Sequence, residues 1–470
     1  MQGKSEVPFL TKLAYGTVNT PLSFIGFPLV IYVAPFYSGE LGLPLALVGT
    51  MLFIARITDV ITDPIVGILS DKVQTRFGRR KIWLATGTAV MVLGVYMLFI
   101  PDPPVTVWYL LLWVSVVYLG FTMIALPHEA WGGELSPHYH ERTQITGTRQ
   151  TFGLIGLVLA TVVPAVIISQ GGKSGAVLEA LGWTVLATLP LSVMVVCWFV
   201  PEKPNAPGEV HVPFWRGLQL MTRNGPFKRI LLVLFIAVIG ETFRITITYF
   251  FAMQVIGIAN LGTLYLWYFV TGLLAIPVWI KLGHRIGKHR ALGVSFTIII
   301  LSSAGMYLLG KGDTLAFTVL FAMKGFCFGS LQLLPSAMVA DVVDVDTLRS
   351  GQKRQGLFYA VAGVVLKLGM ALGQGLSLNL LDLTGFSAAG SNGADQLWWL
   401  SFFYCVAPCA FFLVALRLVW KYPLTAARHR RIQDRLRQRA GDPAGAAPAA
   451  RIEADGVGVP GAPPLRAEPI

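Results

Sequence analysis

One arginine and two aspartates stand inside a long apolar run of this 470-residue chain. Arg56, Asp59 and Asp63 lie in RITDVITDPIVG, in the middle of apolar sequence from about Leu45 to Leu69. Separations of three and four residues stack the three side chains on one helix face. Thr58 and Thr62 flank that face with hydroxyls. Two carboxylates one turn apart with hydroxyls beside them offer the hard oxygen ligands that suit a sodium ion. The same pair, through mutual repulsion, can instead hold a proton. A competing reading makes Arg56 the packing partner of one aspartate and leaves the second carboxylate unaccounted for. Pro64 frees the carbonyl of Val60, which then serves as a further ligand or marks a kink.

Such charges need an unusual setting. Hydrophobic residues make up 54% of the chain and charged residues 13%, against roughly 25% charged in a soluble domain, and the mean hydropathy is +0.65. The chain therefore reads as an all-α integral membrane protein. Apolar runs of about 20 residues, enough for a helix to cross about 30 Å of hydrocarbon, recur near 13–37, 45–69, 82–100, 106–132, 148–169, 181–200, 230–256, 261–282, 291–310, 314–341, 356–381 and 396–420. These runs are apolar all round and lack the alternation of barrel strands. The opening MQGKSEVPFLTKLAYG has no cleavable-leader pattern, so the first run is expected to be span one.

The net charge of +13 follows topology and gives no sign of nucleic-acid binding. Lys72, Arg76, Arg79, Arg80 and Lys81 fall between spans two and three, and Arg216, Arg223, Lys228 and Arg229 between six and seven. Lys281, Arg285, Lys288 and Arg290 fall between eight and nine, and Arg349, Lys353 and Arg354 between ten and eleven. The opposite connections carry little beyond Lys173 and Lys311. By the positive-inside rule both termini are expected in the cytoplasm of a bacterial-type inner membrane. Cys197, Cys327, Cys405 and Cys409 lie in apolar runs without a CxxC pair or a His cluster, the pattern of buried inert thiols.

A polar, Pro- and Gly-rich connection divides the spans six and six. The expected organisation is a six-helix half over 1–201, a cytoplasmic linker over 202–229 with a surface helix near 214–221, a second half over 230–422, and a basic, largely disordered tail over 423–470. Short basic loops with glycine follow spans two and eight, a weak internal repeat. Two such halves suit a transporter with its binding site at the midplane between them.

An ionisable group within a span is a functional candidate by default. Thr122 on span four is positioned to approach the aspartate face. His128 and Glu129 lie deeper than a loop would, His128 as a proton relay or a hydrogen-bonded structural residue. Glu134, Glu141 and Arg142 are expected at the cytoplasmic exit, pairing with basic loops. Arg149 opens span five and is placed to face the cavity. Lys367 sits mid-span among glycines in GLFYAVAGVVLKLGMALGQGL, where it must find a carboxylate or water, and it is assigned as a charge partner of the span-two aspartates. Glu241 and Arg244, three apart in span seven, form a pair of either structural or functional use. Tyr249, Trp267 and Tyr268 read as packing or interfacial residues.

RITDVITDPIVGILSDKVQTRFGRRKIW, ALPHEAWGGELSPHYHERTQITGTRQTFG, LLPSAMVADVVDVDTLRSGQKRQGLFYAVAGVVLKLGMALG and the opening TKLAYG together resemble the glycoside-pentoside-hexuronide:cation symporters of the major facilitator superfamily, melibiose permease among them; the vertebrate lysolipid symporters are related. The similarity runs from about Leu10 to Tyr422. It implies twelve transmembrane helices in two six-helix halves. It also implies that Asp59 and Asp63 coordinate sodium, lithium or a proton, with Thr62 between them and Thr122 from span four. Lys367 matches a lysine near the cation site and Arg149 an arginine that contacts sugar. The departures are Ser23 and Ala125, where melibiose permeases carry sugar-gripping aspartates, and Glu129 in place of a tryptophan.

The resulting expectation is a Na⁺- or H⁺-coupled symporter that imports a glycoside, a hexuronide or another modified or anionic sugar by alternating access. Arg56, Ser23, Ala125, Glu129, Arg149, Glu241, Arg244 and Lys367 are the candidates for substrate contact or coupling. The alternatives are a cation-coupled carrier of an amphiphile such as a lysolipid or steroid-like acid, and a non-transporting membrane sensor. No nucleophile motif, HExxH or phosphate-binding loop points to an enzyme. Apart from the coupling ion no cofactor is expected, and the expected partners are a small solute and the lipid bilayer, with the chain a monomer.

Overall fold

The computed structural model describes residues 7–73, 75–136, 139–202, 224–258, 260–350, 355–390, 392–424 and 426–441. The surface helix expected at 214–221, most of the linker and the tail beyond 441 lie outside the described residues. Within hydrocarbon every backbone N–H and C=O must find a partner, and a helix supplies it locally. The described residues accordingly hold helices and no strand.

The chain opens with α1 (Phe9–Gly16) and α2 (Asn19–Ile31), followed by a π-helical turn, Pro35–Glu40. There follow α3 (Leu45–Lys72), α4 (Arg80–Phe99), α5 (Val107–Glu134), α6 (Tyr139–Ser169), α7 (Ser174–Phe199) and α8 (Gly225–Phe250, continued as a π turn to Ile256). Next come α9 (Leu261–Ile286), α10 (Lys288–Tyr307), α11 (Thr314–Ser350) and α12 (Gln355–Asp382). The last crossing is α13 (Ala394–Ser401) joined through a π turn to α14 (Ala407–Trp420), and α15 (Ala426–Gly441) ends the described chain. Eleven stretches among the described residues are long and apolar enough to cross a membrane, and the broken Phe9–Glu40 segment supplies the twelfth crossing of this multi-pass membrane protein.

Three boundaries differ from expectation. The first span is in pieces: Pro21 and Pro35 sit at helix starts, where no intrahelical donor is needed, and Pro28 interrupts the turn before the second break. The fifth crossing begins at Tyr139, well before the expected 148, because Glu141 in its first turn accepts from Ser136 Oγ and from the Val7 N–H at 3.0 Å. The tenth continues past 341 to Ser350, so Arg349 ends a helix and does not lie in a loop.

Polarity runs inside out. Trp198, Leu308 and Leu315 are 81%, 83% and 78% exposed, whereas Asp59, Thr122 and Arg244 are 3%, 1% and 0% exposed. An apolar exterior of that kind is stable only against lipid.

The first and last six spans meet along two seams, α3 against α12 and α6 against α9. At the end where α3 starts and α12 finishes, both seams are tight. A Cβ on Gly262 would stand 2.3 Å from Ala165 N and 2.6 Å from Thr161 O, so only glycine lets α9 lie on α6. Between the seams Phe27 of α2 meets Tyr265 and Phe269 of α9 with ring centres 4.9 and 5.5 Å apart, and Tyr32 meets Tyr249 at 6.1 Å. These rings plug that end. At the other end the ion pairs stay within one half: Arg79 and Arg80 with Glu134, and Lys288 and His429 with Asp341.

Candidate functional site

The seam between α3 and α12 brings the charges of both helices together. Helical spacing places Asp59 and Asp63 one turn apart on α3, and Thr122 reaches them from α5. Its hydroxyl lies 3.0 Å from Asp59 Oδ1 and 2.8 Å from Asp63 Oδ1, so it bridges the pair. Lys367 of α12 closes the opposite side, with Nζ 2.9 Å from Asp59 Oδ2 and 2.6 Å from Asp63 Oδ2. Arg56 stands farther off, 3.6 Å from Asp59 Oδ2, with its guanidinium 4.1 Å from the centre of the Tyr118 ring. Two acids thus face two bases, and the ammonium occupies the place where a cation between the carboxylates would sit.

The hydroxyls of Thr58 and Thr62 donate to carbonyls of their own helix. Thr58 donates to Ala55 O at 2.7 Å and Thr62 to Asp59 O at 3.1 Å. Thr122 is therefore the hydroxyl that the fold delivers to the carboxylates. Two carboxylates and a hydroxyl are hard oxygen ligands of the kind that suit a monovalent cation.

A second group gathers where α1, α2 and α6 meet α5. Glu129 pairs with Arg149 at 2.8 Å, and Glu129 is 63% exposed, so this pair opens to solvent. Asn19 donates to Arg149 O at 3.1 Å. The Ser23 hydroxyl lies 3.0 Å from Asn19 O and 2.9 Å from Gly153 O, which ties α2 to α6, and Ala125 packs against the apolar core. His128 is fully buried, stacked on Tyr15 at 4.2 Å, with Nε2 2.9 Å from Tyr15 O while Tyr15 Oη donates to His128 O at 2.8 Å. That is a clamp between α1 and α5, the hydrogen-bonded structural arrangement. Glu134 takes Arg79 at 2.7 Å and Arg80 at 2.6 Å, in the basic-loop pairing its position suggested.

The third group belongs to the last six spans. Arg244 donates to Glu241 at 2.5 and 3.3 Å, and Tyr268 donates to the same carboxylate at 3.0 Å. Beside them lies Lys324 of α11, 2% exposed and absent from the sequence-derived candidates. The signal for it was the one that singled out Lys367, a lysine in the middle of an apolar run. Tyr118, the ring beneath Arg56, was also missed; its contact depends on how α5 docks on α3.

Comparison with known proteins follows the same lines. The family model described as MFS/sugar transport protein matches residues 14–426. The chain is 24% identical to the putative glycoside/cation symporter YagG of Escherichia coli (strain K12), over 90% of this chain and 94% of that one. It is also 24% identical to the human sodium-dependent lysophosphatidylcholine symporter 1, over 91% and 88% of the two chains. Among solved structures, a bacterial homolog of the human lysosomal transporter Spinster, inward-facing and occupied, superposes with a TM-score of 0.65 at 14% identity, covering 89% of this chain and 97% of that one.

Proposed function

Because the chain belongs to the MFS/sugar transport protein family, we propose that it is a Na⁺- or H⁺-coupled symporter that carries a sugar-like solute by alternating access, with Asp59, Asp63 and Thr122 as the cation site. The observation that carries this reading is the pair of carboxylates bridged by Thr122 and capped by Lys367 across the seam between the halves. A cation entering between the carboxylates displaces the ammonium, which unties α3 from α12 and frees Lys367 for the solute. Arg149, held by an exposed Glu129, is a second anchor that can change partners. With Arg149 and Lys367 as basic anchors, and Ser23 and Ala125 where sugar-gripping acids would stand, an acidic or modified sugar is favoured. With basic loops in the cytoplasm, the plugged end is the outer one and the structure faces inward.

A panel of labelled glycosides, uronates and organic acids tests this in proteoliposomes under imposed Na⁺ or H⁺ gradients. The expected result is accumulation of one class that collapses with one gradient; uptake indifferent to both gradients refutes the coupling.

One observation favours an amphiphile as the solute. Leu157 and Val158 of α6, Phe269 and Ile276 of α9 and Phe328 of α11 line an apolar pocket at the seam. Competition by lysolipids but not by sugars in the same assay would select that reading.

A further inference from the structure

Behind the aromatic plug lies a charged cluster that the cation site does not use. Arg244 and Glu241 of α8 balance one another, with Tyr268 of α9 donating to the same carboxylate. Lys324 of α11 has no such balance. Its Nζ lies 5.4 Å from the centre of the Tyr404 ring and has no hydrogen-bond partner among the described residues. The groups that face Lys324 are Arg244 and Glu241 from α8, Cys405 and Cys409 from the last crossing, and Cys327 on its own helix. Tyr265 and Tyr268 of α9 flank Arg244. The carboxylate in this set is Glu241, which Arg244 already occupies. An ammonium held dry with three donors and no acceptor is heavily penalised, whereas an amine carries no charge to strand.

The plug adjoins this cluster through Arg244 and through Phe321, one turn before Lys324 on α11. The Arg244 guanidinium lies 5.8 Å from the Tyr268 ring centre and 5.7 Å from that of Phe321. Tyr268 packs on Phe269 at 5.3 Å, and Phe269 meets Phe27 of α2 at 5.5 Å across the two halves. The rings that close the pathway thus pack against the same cluster that holds Lys324, so that parting them would open a route for water toward it.

We propose that Lys324 is a second cation site whose ligand is a proton: a neutral amine while Phe27, Tyr265 and Phe269 close the pathway, and a hydrated ammonium once they part. On opening, the nitrogen lone pair takes a proton from hydronium or a buffer acid on the plugged side. On closing, that proton returns to water before the roof seals. Acid therefore favours the open plug and alkali the shut one, and the linkage is reciprocal. The site goes beyond the carboxylate pair of α3 and does not depend on it.

The test is amide hydrogen exchange by mass spectrometry on the purified full chain, without solute, from about pH 5.5 to about 9, following peptides over 20–32 and 261–270. After correction for intrinsic exchange, plug opening in the unaltered chain should rise toward the acid end by up to about tenfold per pH unit, the limit for one linked proton. Lys324→Met should abolish that slope and leave the plug protected throughout. Lys324→Arg, permanently charged, should leave it open throughout, and it carries the test should Lys324→Met fail to fold. The proposal is overturned by a flat response in the unaltered chain, by a full slope in Lys324→Met, or by a protected plug in Lys324→Arg.

Discussion

If Lys367 and the coupling cation compete for the same carboxylates, removing the lysine must tighten cation binding even as it damages transport. At an effective dielectric of about 20, each of the contacts at 2.9 and 2.6 Å is worth roughly 6 kcal/mol of gross attraction. Most of that is offset by withdrawing the charges from water. The net value of a hydrogen bond to a charged group is about 1.5 to 3 kcal/mol, so displacing both costs an entering ion about 3 kcal/mol at the lower figure. At about 1.4 kcal/mol per tenfold, Lys367→Gln should bind sodium or lithium roughly a hundredfold more tightly. Isothermal titration of NaCl into purified protein, with choline chloride holding ionic strength, reads the constant directly. Sodium binding by Lys367→Gln that is no tighter than in the unaltered chain at any pH refutes the competition.

Further outcomes follow from the same geometry. Thr122→Val removes the hydroxyl that touches both carboxylates and should weaken cation binding about tenfold, worth about 1.5 kcal/mol, with Thr122→Ser restoring it; an unchanged titration would remove the hydroxyl from the site. Gly262→Leu puts a Cβ within 2.3 Å of Ala165 N, so the plugged end cannot close, and a maleimide should label a Phe27→Cys probe faster in that background; equal labelling would contradict the seam. Glu202 accepts from the Arg79 and Arg80 N–H groups, both at 2.6 Å, at the start of α4. Glu202→Gln should lower stability by about 1 kcal/mol, seen as a lower Tm with cation affinity intact, and an unmoved Tm would mean that the cap contributes nothing.

Sequence alone carried the cation site a long way because its logic is local. The spacing of Arg56, Asp59 and Asp63 already stacks one helix face, and a lysine mid-span has to find an acid. Thr62 shows the limit of such reasoning. Its place between the aspartates suggested a ligand, whereas the contact formed here is the donation of its proton to a backbone carbonyl one turn back, a local habit of threonine that spacing does not reveal. The setting of Ser23 was out of reach for another reason, since its partner Gly153 O belongs to α6 and no spacing within α2 reveals that docking. The broken first span was open to inspection in Pro21, Pro28 and Pro35, but hydropathy windows average over backbone chemistry. Lys324 carried the same signal as Lys367. What sequence does not supply is the difference between them, because one finds two carboxylates across a seam and the other finds aromatic rings.

On the proposed cycle that difference would give Lys367 its part in coupling. Lys367 is paired with two carboxylates on the other half of the molecule, so its release is also the release of a tether. Once a cation has replaced it, the ammonium stands in the pathway with Arg56 held back by Tyr118. A neutral solute would leave that charge to water alone. An anionic group on the solute would pair with it, and the cation and the solute would then each favour the other through a single side chain. The same logic orders the events. The solute's negative charge has little to meet while Lys367 is 2.6 Å from Asp63, so cation binding precedes solute binding for an acidic cargo, whereas a neutral cargo imposes no such order. Solute affinity measured with and without saturating cation separates the two: strong dependence for uronates beside weak dependence for neutral glycosides supports the charge exchange, and equal dependence for both removes Lys367 from the coupling.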